Sequence, residues 1–298
     1  MDSVRRNEVI STFKSVPIHL MNSASWRRVL RDPKKTFLWI MSPYIYTIKN
    51  RGKTESDSTY QTALDRILEL IEPLGTPITF DKWISTSSLK RFVHLKERIN
   101  LQNLLSGYGS DKSALGYAEI YQVILSEIKS RVGRDPITLV EIGIGSTDPS
   151  IPSNMTVFGN PGASLKSFRD LSKNIYVTGG DIDSKILFNE ERIKTYKVNQ
   201  LESSSIRNFL LHIGSFNLLI DDGLHKLDAN LNTLTESILF AEPGSWIVIE
   251  DISHEIKFSK IWIAIGELLS KRFFVWLIEC HKSYVFVAYC KFEGQKDI

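Results

Sequence analysis

The sequence predicts a doubly wound α/β sheet, mostly parallel, with an antiparallel C-terminal hairpin and a smaller, mainly helical region in front of it. Three observations predict this class. From residue 137 onward apolar strands alternate with amphipathic helical stretches. Those strands are almost continuously apolar, as in a parallel sheet covered on both faces. Near the end, two β-rich runs at 273–280 and 283–290 are separated by His281 and Lys282 alone. That link is too short for a crossover helix and implies a hairpin at the sheet edge.

Taken in order, residues 1–100 mix helical periodicity, clearest at 60–71, with polar breaks such as 51–58. Gly107 and Gly109 mark a loop before a helix at 115–132. Strands are expected at 137–142, 175–179, 193–198, 216–220 and 246–249, with helices at 163–172, 184–190, 203–212, 227–240 and 258–271. Residues 1–100 thus form the N-terminal region, and 101–298 the α/β domain.

With 298 residues, 42% of them hydrophobic, the chain can bury a substantial core. Its net charge of +3 is a small difference between 37 basic and 34 acidic side chains, which does not point to nucleic acid as a partner. Cys280 and Cys290 lie in apolar runs without C-x-x-C spacing, so neither a disulfide framework nor a zinc ribbon is expected and a reducing cytoplasm fits. The charged stretch 1–8 lacks the features of a signal peptide. The apolar run 37–47 is about half of the roughly 20 residues a bilayer span requires, so a buried or partner-facing segment is expected there. Its flanking Lys34, Lys35, Lys49, Arg51 and Lys53 keep an interfacial membrane contact as the lesser alternative.

Doubly wound sheets bind ligands at the carboxyl ends of their strands, where the strand order switches. The first strand delivers Glu141, Gly143, Gly145 and Ser146 to that edge. The two glycines let backbone approach a ligand, but Asp148 stands where a dinucleotide G-x-G-x-x-G fingerprint needs its third glycine. At the second strand's end, Asp181 suits a ribose diol, while Asp183 suits a cap on the following turn. Asn199 and Gln200 end the third strand with amides suited to an adenine edge. The fourth ends in Asp221-Asp222-Gly223-Leu224-His225 and the fifth in Glu250-Asp251. If the last two strands are parallel neighbours, carboxylates and an imidazole gather at one edge, enough for a divalent cation and a general base.

These positions, with the final hairpin, resemble class I S-adenosylmethionine-dependent methyltransferases over roughly residues 104–298. Gly109-Ser110-Asp111-Lys112, Gly116-Tyr117, Tyr121, the insertion 148–160, Pro161-Gly162-Ala163-Ser164-Leu165, Asp181-Ile182-Asp183 and Asp221 to His225 narrow the resemblance. They resemble a bacterial subgroup similar to metal-dependent O-methyltransferases acting on macrolide sugars. The resemblance implies a Rossmann-like fold, with S-adenosylmethionine held by Glu141, Gly143, Gly145 and Asp181 and with Gln200 near the adenine. Asp221, at the same strand end, joins that set and supports the turn. The resemblance further implies Mg²⁺ ligation by Asp222, Glu250 and Asp251, and a base role for His225. Ser146 and Asn199 depart from the subgroup's usual glycine and aspartate.

Methyl transfer from a sulfonium needs alignment and exclusion of water, while a sugar hydroxyl needs help to lose its proton. The acceptor that the resemblance implies is a hydroxyl on a sugar, a small glycosylated metabolite or a glycan. Tyr117 and Tyr121 read as packing residues, and Asp111, Lys112 and Tyr117 as parts of a lid. His254 and Glu255 extend the last strand's loop toward substrate or solvent. Residues 1–100 shape an acceptor pocket or a homo-oligomer interface. Two rival readings keep the fold: a hydroxylase-like enzyme, and an idle scaffold that recruits a partner.

Overall fold

The computed structural model describes residues 83–85 and 95–295. The expected helix at 60–71 and the apolar run at 37–47 lie outside the described residues. In chain order the elements are β1 (Trp83–Ser85), α1 (Leu95–Tyr108), α2 (Lys112–Leu115), α3 (Tyr117–Val132), β2 (Ile137–Ile142), α4 (Ala163–Leu171), β3 (Ile175–Asp181) and β4 (Ile193–Lys197). They continue with α5 (Ser203–Ile213), β5 (Leu218–Asp221), α6 (Leu227–Phe240), β6 (Trp246–Ile252), α7 (Ile256–Leu269), β7 (Phe273–Glu279) and β8 (Tyr284–Cys290).

Among the described residues the strands form one eight-stranded sheet in the order β1-β7-β8-β6-β5-β2-β3-β4. Strands β2 to β6 are mutually parallel, whereas β8 runs antiparallel to both β6 and β7. Successive apolar residues face opposite ways. Leu139, Leu218 and Val248 pack under α1, α3 and α4, while Val140, Leu219 and Ile247 pack under α5, α6 and α7. Both faces are covered, which explains the unbroken apolar runs. The chain winds outward from β2 through β3 to β4 and then returns to β5 on the other side of β2, so the switch in strand order lies between β2 and β5.

The hairpin forms as expected, but it does not simply flank the sheet. β8 inserts between β6 and β7, and β1 pairs in parallel with the outer side of β7. The helix expected at 184–190 is a single 3₁₀ turn, Ser184–Ile186. Thr195 Oγ1 engages both the backbone N–H and the carbonyl of Phe188, and Glu190 bridges Ile193, so β4 draws this segment into a turn. Gly116, at φ +86°, separates α2 from α3, so the helix expected from 115 begins at Tyr117. Gly107 lies inside α1, which ends at Tyr108, just before Gly109 with φ +80°. Position 100, where the sequence changes character, falls within α1, and Trp83–Ser85 of the N-terminal stretch joins the sheet. Among the described residues no helix is long and apolar enough to cross a membrane.

Candidate active site

The edge at the β2–β5 switch is built first from backbone. Past β2 the chain turns at Gly143 with φ +90°, and a Cβ there would lie 2.1 Å from the carbonyl oxygen of Asp222. Only glycine lets the loop after β2 lie directly on the loop after β5. Gly145, at φ +87°, is crowded by a side chain instead of backbone, since a Cβ would sit 1.9 Å from Met155 Sδ. Asp181, buried at the end of β3, accepts from the N–H of Ile144 at 2.9 Å and of Asp183 at 2.9 Å, binding the glycine loop to its neighbour. Burial pushes the Asp181 carboxyl up, against the lowering pull of these amides. Asp183 accepts from Ser146 Oγ at 2.6 Å and from the N–H of Lys185 at 3.0 Å, the capping role expected of it.

The insertion 148–160 folds back over this loop. Its Met155 N–H bonds to the Ser146 carbonyl at 2.8 Å, and Ser153 Oγ donates to the Leu224 carbonyl at 2.9 Å. It therefore bridges the loops after β2 and β5.

At the end of β5, Asp221 is 1% exposed and accepts from Gln200 Nε2 at 2.6 Å and the Gly223 N–H at 3.2 Å. Gln200 also donates to Thr233 Oγ1 at 2.9 Å and accepts from the Leu224 N–H at 2.8 Å. Its amide thus pins the β5 loop from within, and Asn199 is engaged by Glu202 and the Leu201 N–H. Burial pushes the Asp221 carboxyl up to about 6. This internal network makes Asp221 and Gln200 scaffolding for the residues that follow them.

Those residues are Asp222 and His225, and the end of β6 meets them. The pairing of β6 with β8 shifts register between Ile249 and Ile252, and this bulge re-aims Glu250 and Asp251. Asp251 (φ +54°) and His225 (φ +56°) are both non-glycine residues in left-handed backbone. Such strain gathers at functional sites. His225 Nε2 lies 3.9 Å from Asp222 Oδ1 and 3.6 Å from Asp251 Oδ2, and all three side chains remain partly exposed.

Glu250 faces elsewhere. One of its oxygens is 2.5 Å from Lys112 Nζ and the other accepts from Tyr121 Oη. Lys112 Nζ is also 2.5 Å from Asp222 Oδ2 and 3.4 Å from Glu141 Oε1. Burial pulls the ammonium down, but Asp222, Glu250 and Glu141 outweigh it and hold Lys112 well above its usual range. Burial likewise raises Glu250 well above the carboxylate range and Glu141 to about 7. Tyr117 Oη donates to Asp251 and shares a hydrogen bond with Ser283 Oγ at 2.5 Å. Tyr117 and Tyr121, one turn apart on α3, are the packing residues expected from sequence, yet their hydroxyls hold the two adjacent carboxylates of β6. Lys112 is 1% exposed and lies inside the molecule instead of covering it as a lid. Its burial was not readable from the chain, because its carboxylate partners are remote in sequence.

The oxygen and nitrogen atoms of Asp222, His225 and Asp251 lie within 4.8 Å of one another. A hard cation takes oxygen ligands, which Asp222 and Asp251 offer from two strands, and His225 Nε2, 3.9 and 3.6 Å from those oxygens, stands next to such a cation's bound oxygens. Beside them, the loop 143–146, with glycine at 143 and 145, lies at the strand switch, where sheets of this kind take their ligand.

No family model matches the chain. Two curated proteins of Streptomyces olivaceus are similar to it. An 8-demethyl-8-alpha-L-rhamnosyl tetracenomycin-C 2'-O-methyltransferase is 30% identical over 155 residues, which cover 51% of this chain and 37% of that protein. An 8-demethyl-8-(2-methoxy-alpha-L-rhamnosyl)-tetracenomycin-C 3'-O-methyltransferase is 26% identical over 156 residues, again 51% of this chain and 37% of that protein. The matched part is thus little more than a third of either relative. Among solved structures, the MycE methyltransferase of the mycinamycin biosynthetic pathway, with Mg and SAH, superposes with TM-score 0.52 at 20% identity, over 67% of this chain and 56% of that one. Its complex with Mg, SAH and mycinamycin VI gives TM-score 0.51 at 19% identity, over the same shares. The fold is therefore the Rossmann-like fold of these methyltransferases.

Proposed function

We propose that this chain, a Rossmann-like methyltransferase fold with an acidic, histidine-containing edge, is an S-adenosylmethionine-dependent O-methyltransferase acting on a hydroxyl of a sugar or glycosylated metabolite. The observation that carries the reading is the meeting of Asp222, His225 and Asp251 beside the loop 143–146 at the strand switch. Both curated relatives are named for methylating rhamnosyl hydroxyls, and the structural neighbour is a complex with Mg, SAH and mycinamycin VI, which supports a sugar acceptor and a cation.

When bound, the cofactor supplies an activated methyl group and Mg²⁺ lowers the pKa of the acceptor hydroxyl. The chain's residues do the rest. The backbone of 143–146, fixed by Asp181 and flanked by Glu141, holds the methyl donor. Asp222 and Asp251 hold the cation from two strands, and their partial exposure leaves room for an acceptor oxygen. His225 takes the hydroxyl proton at Nε2. Gln200 and Asp221 keep the β5 loop rigid, and the insertion 148–160 shields the donor side from water. Residues 1–100 contribute to acceptor binding or self-association, the nearly balanced charge supports a small acceptor over nucleic acid, and the two cysteines without disulfide spacing fit a cytoplasmic enzyme.

Calorimetry with S-adenosylhomocysteine tests the reading directly. Binding in the micromolar range is expected, and no heat at millimolar ligand would overturn it. Turnover of a rhamnosylated acceptor should also fall on chelation; activity indifferent to chelator removes the cation from the scheme.

A further inference from the structure

The carboxylates at this edge fall into two groups. Lys112 Nζ reaches Glu250 Oε2 and Asp222 Oδ2, each at 2.5 Å, and Glu141 Oε1 at 3.4 Å. Tyr121 engages the remaining Glu250 oxygen. On the other side stand Asp222 Oδ1, Asp251 Oδ2 and His225 Nε2. Glu141 is fully buried, and the ammonium 3.4 Å away is the largest influence favouring its charge, ahead of Ser164.

We propose that Lys112 is a positioning residue that divides this edge: it keeps Glu250 and Glu141 as its own partners and leaves Asp222 and Asp251 to hold the divalent cation, with His225 beside them. The proposal rests on the cation reading above and removes Glu250 from the ligand set that the sequence resemblance implies. An ammonium and a divalent cation repel strongly when both press on one carboxylate oxygen. With Lys112 on Asp222 Oδ2, Oδ1 is the Asp222 oxygen that would be left to a cation. The lysine is carried on a four-residue helix bracketed by Gly109 and Gly116, both at positive φ, which turns it inward from between α1 and α3.

Mn²⁺ binding to the full chain, followed by electron paramagnetic resonance, tests the division without reference to turnover. Asp251→Asn, which takes a ligand's charge away from the cation, should weaken Mn²⁺ binding about tenfold or more, and Glu250→Gln by several times less. Lys112→Met removes a competing positive charge and frees Glu250 and one Asp222 oxygen, so affinity should rise by about threefold or more, and the gain should vanish in Lys112→Met/Glu250→Gln. Loss of binding in Glu250→Gln equal to that in Asp251→Asn overturns the proposal. So does a folded Lys112→Met protein of unchanged affinity, the outcome of a merely structural lysine. If Lys112→Met does not fold, the comparison of Glu250→Gln with Asp251→Asn still decides. Wild-type protein that binds S-adenosylhomocysteine but no Mn²⁺ overturns this proposal and the cation reading together, and leaves the methyl-donor reading standing.

Discussion

At Gly143 a single missing carbon decides whether two loops can touch. Gly143→Ala would place a methyl against the Asp222 carbonyl in a backbone region that alanine avoids. A stability loss of about 2 kcal/mol or more is expected, read as a lower urea midpoint at unchanged slope, together with weaker S-adenosylhomocysteine binding. Glycines 143 and 145 were readable as a turn from the sequence alone. Lys112 was not. Its environment comes from Asp222 and Glu250, 110 and 138 positions away, and no local pattern carries that information. His225 and Asp251 were visible as chemistry, but their left-handed backbone depends on a turn and a bulge that register with neighbouring strands creates.

At the scale of elements, the loop after β5 depends on a side chain from the end of β4. Gln200 joins Asp221, Thr233 and the Leu224 N–H, so Gln200→Leu strands a buried carboxylate and an amide. A loss of about 2–3 kcal/mol is expected in chemical denaturation, and a change under about 0.5 kcal/mol would contradict this role. The parallel strands could be found in the sequence because burial on both faces leaves them apolar throughout. The insertion of β8 between β6 and β7 could not, since the hairpin link fixes which strands pair but not which neighbour the pair meets. The 184–190 segment failed as a helix for a similar reason: Thr195 on β4 supplies its partners from outside.

At the scale of the molecule, Cys280 and Cys290 report on how the sheet opens. Both are buried, 6% and 1% exposed, and burial pushes the Cys280 thiol further up. Because Cys290 ends β8, which is held on both sides, and Cys280 is tied across the hairpin turn to Ser283, a thiol reagent should label the two cysteines together and only as fast as the fold opens globally. Earlier labelling of one would show the hairpin detaching on its own. The contact between Gly143 and the Asp222 carbonyl has a second reach, because it joins the donor-binding loop to the cation-binding loop by direct packing. Two ligands on such joined loops should report on each other. Mg²⁺ should change S-adenosylhomocysteine affinity by about fivefold or more, and S-adenosylhomocysteine should change Mg²⁺ affinity by the same factor. Titrations of each ligand at saturating levels of the other would measure both sides of that reciprocity, and a factor of one would mean that the two loops, though touching, bind as strangers.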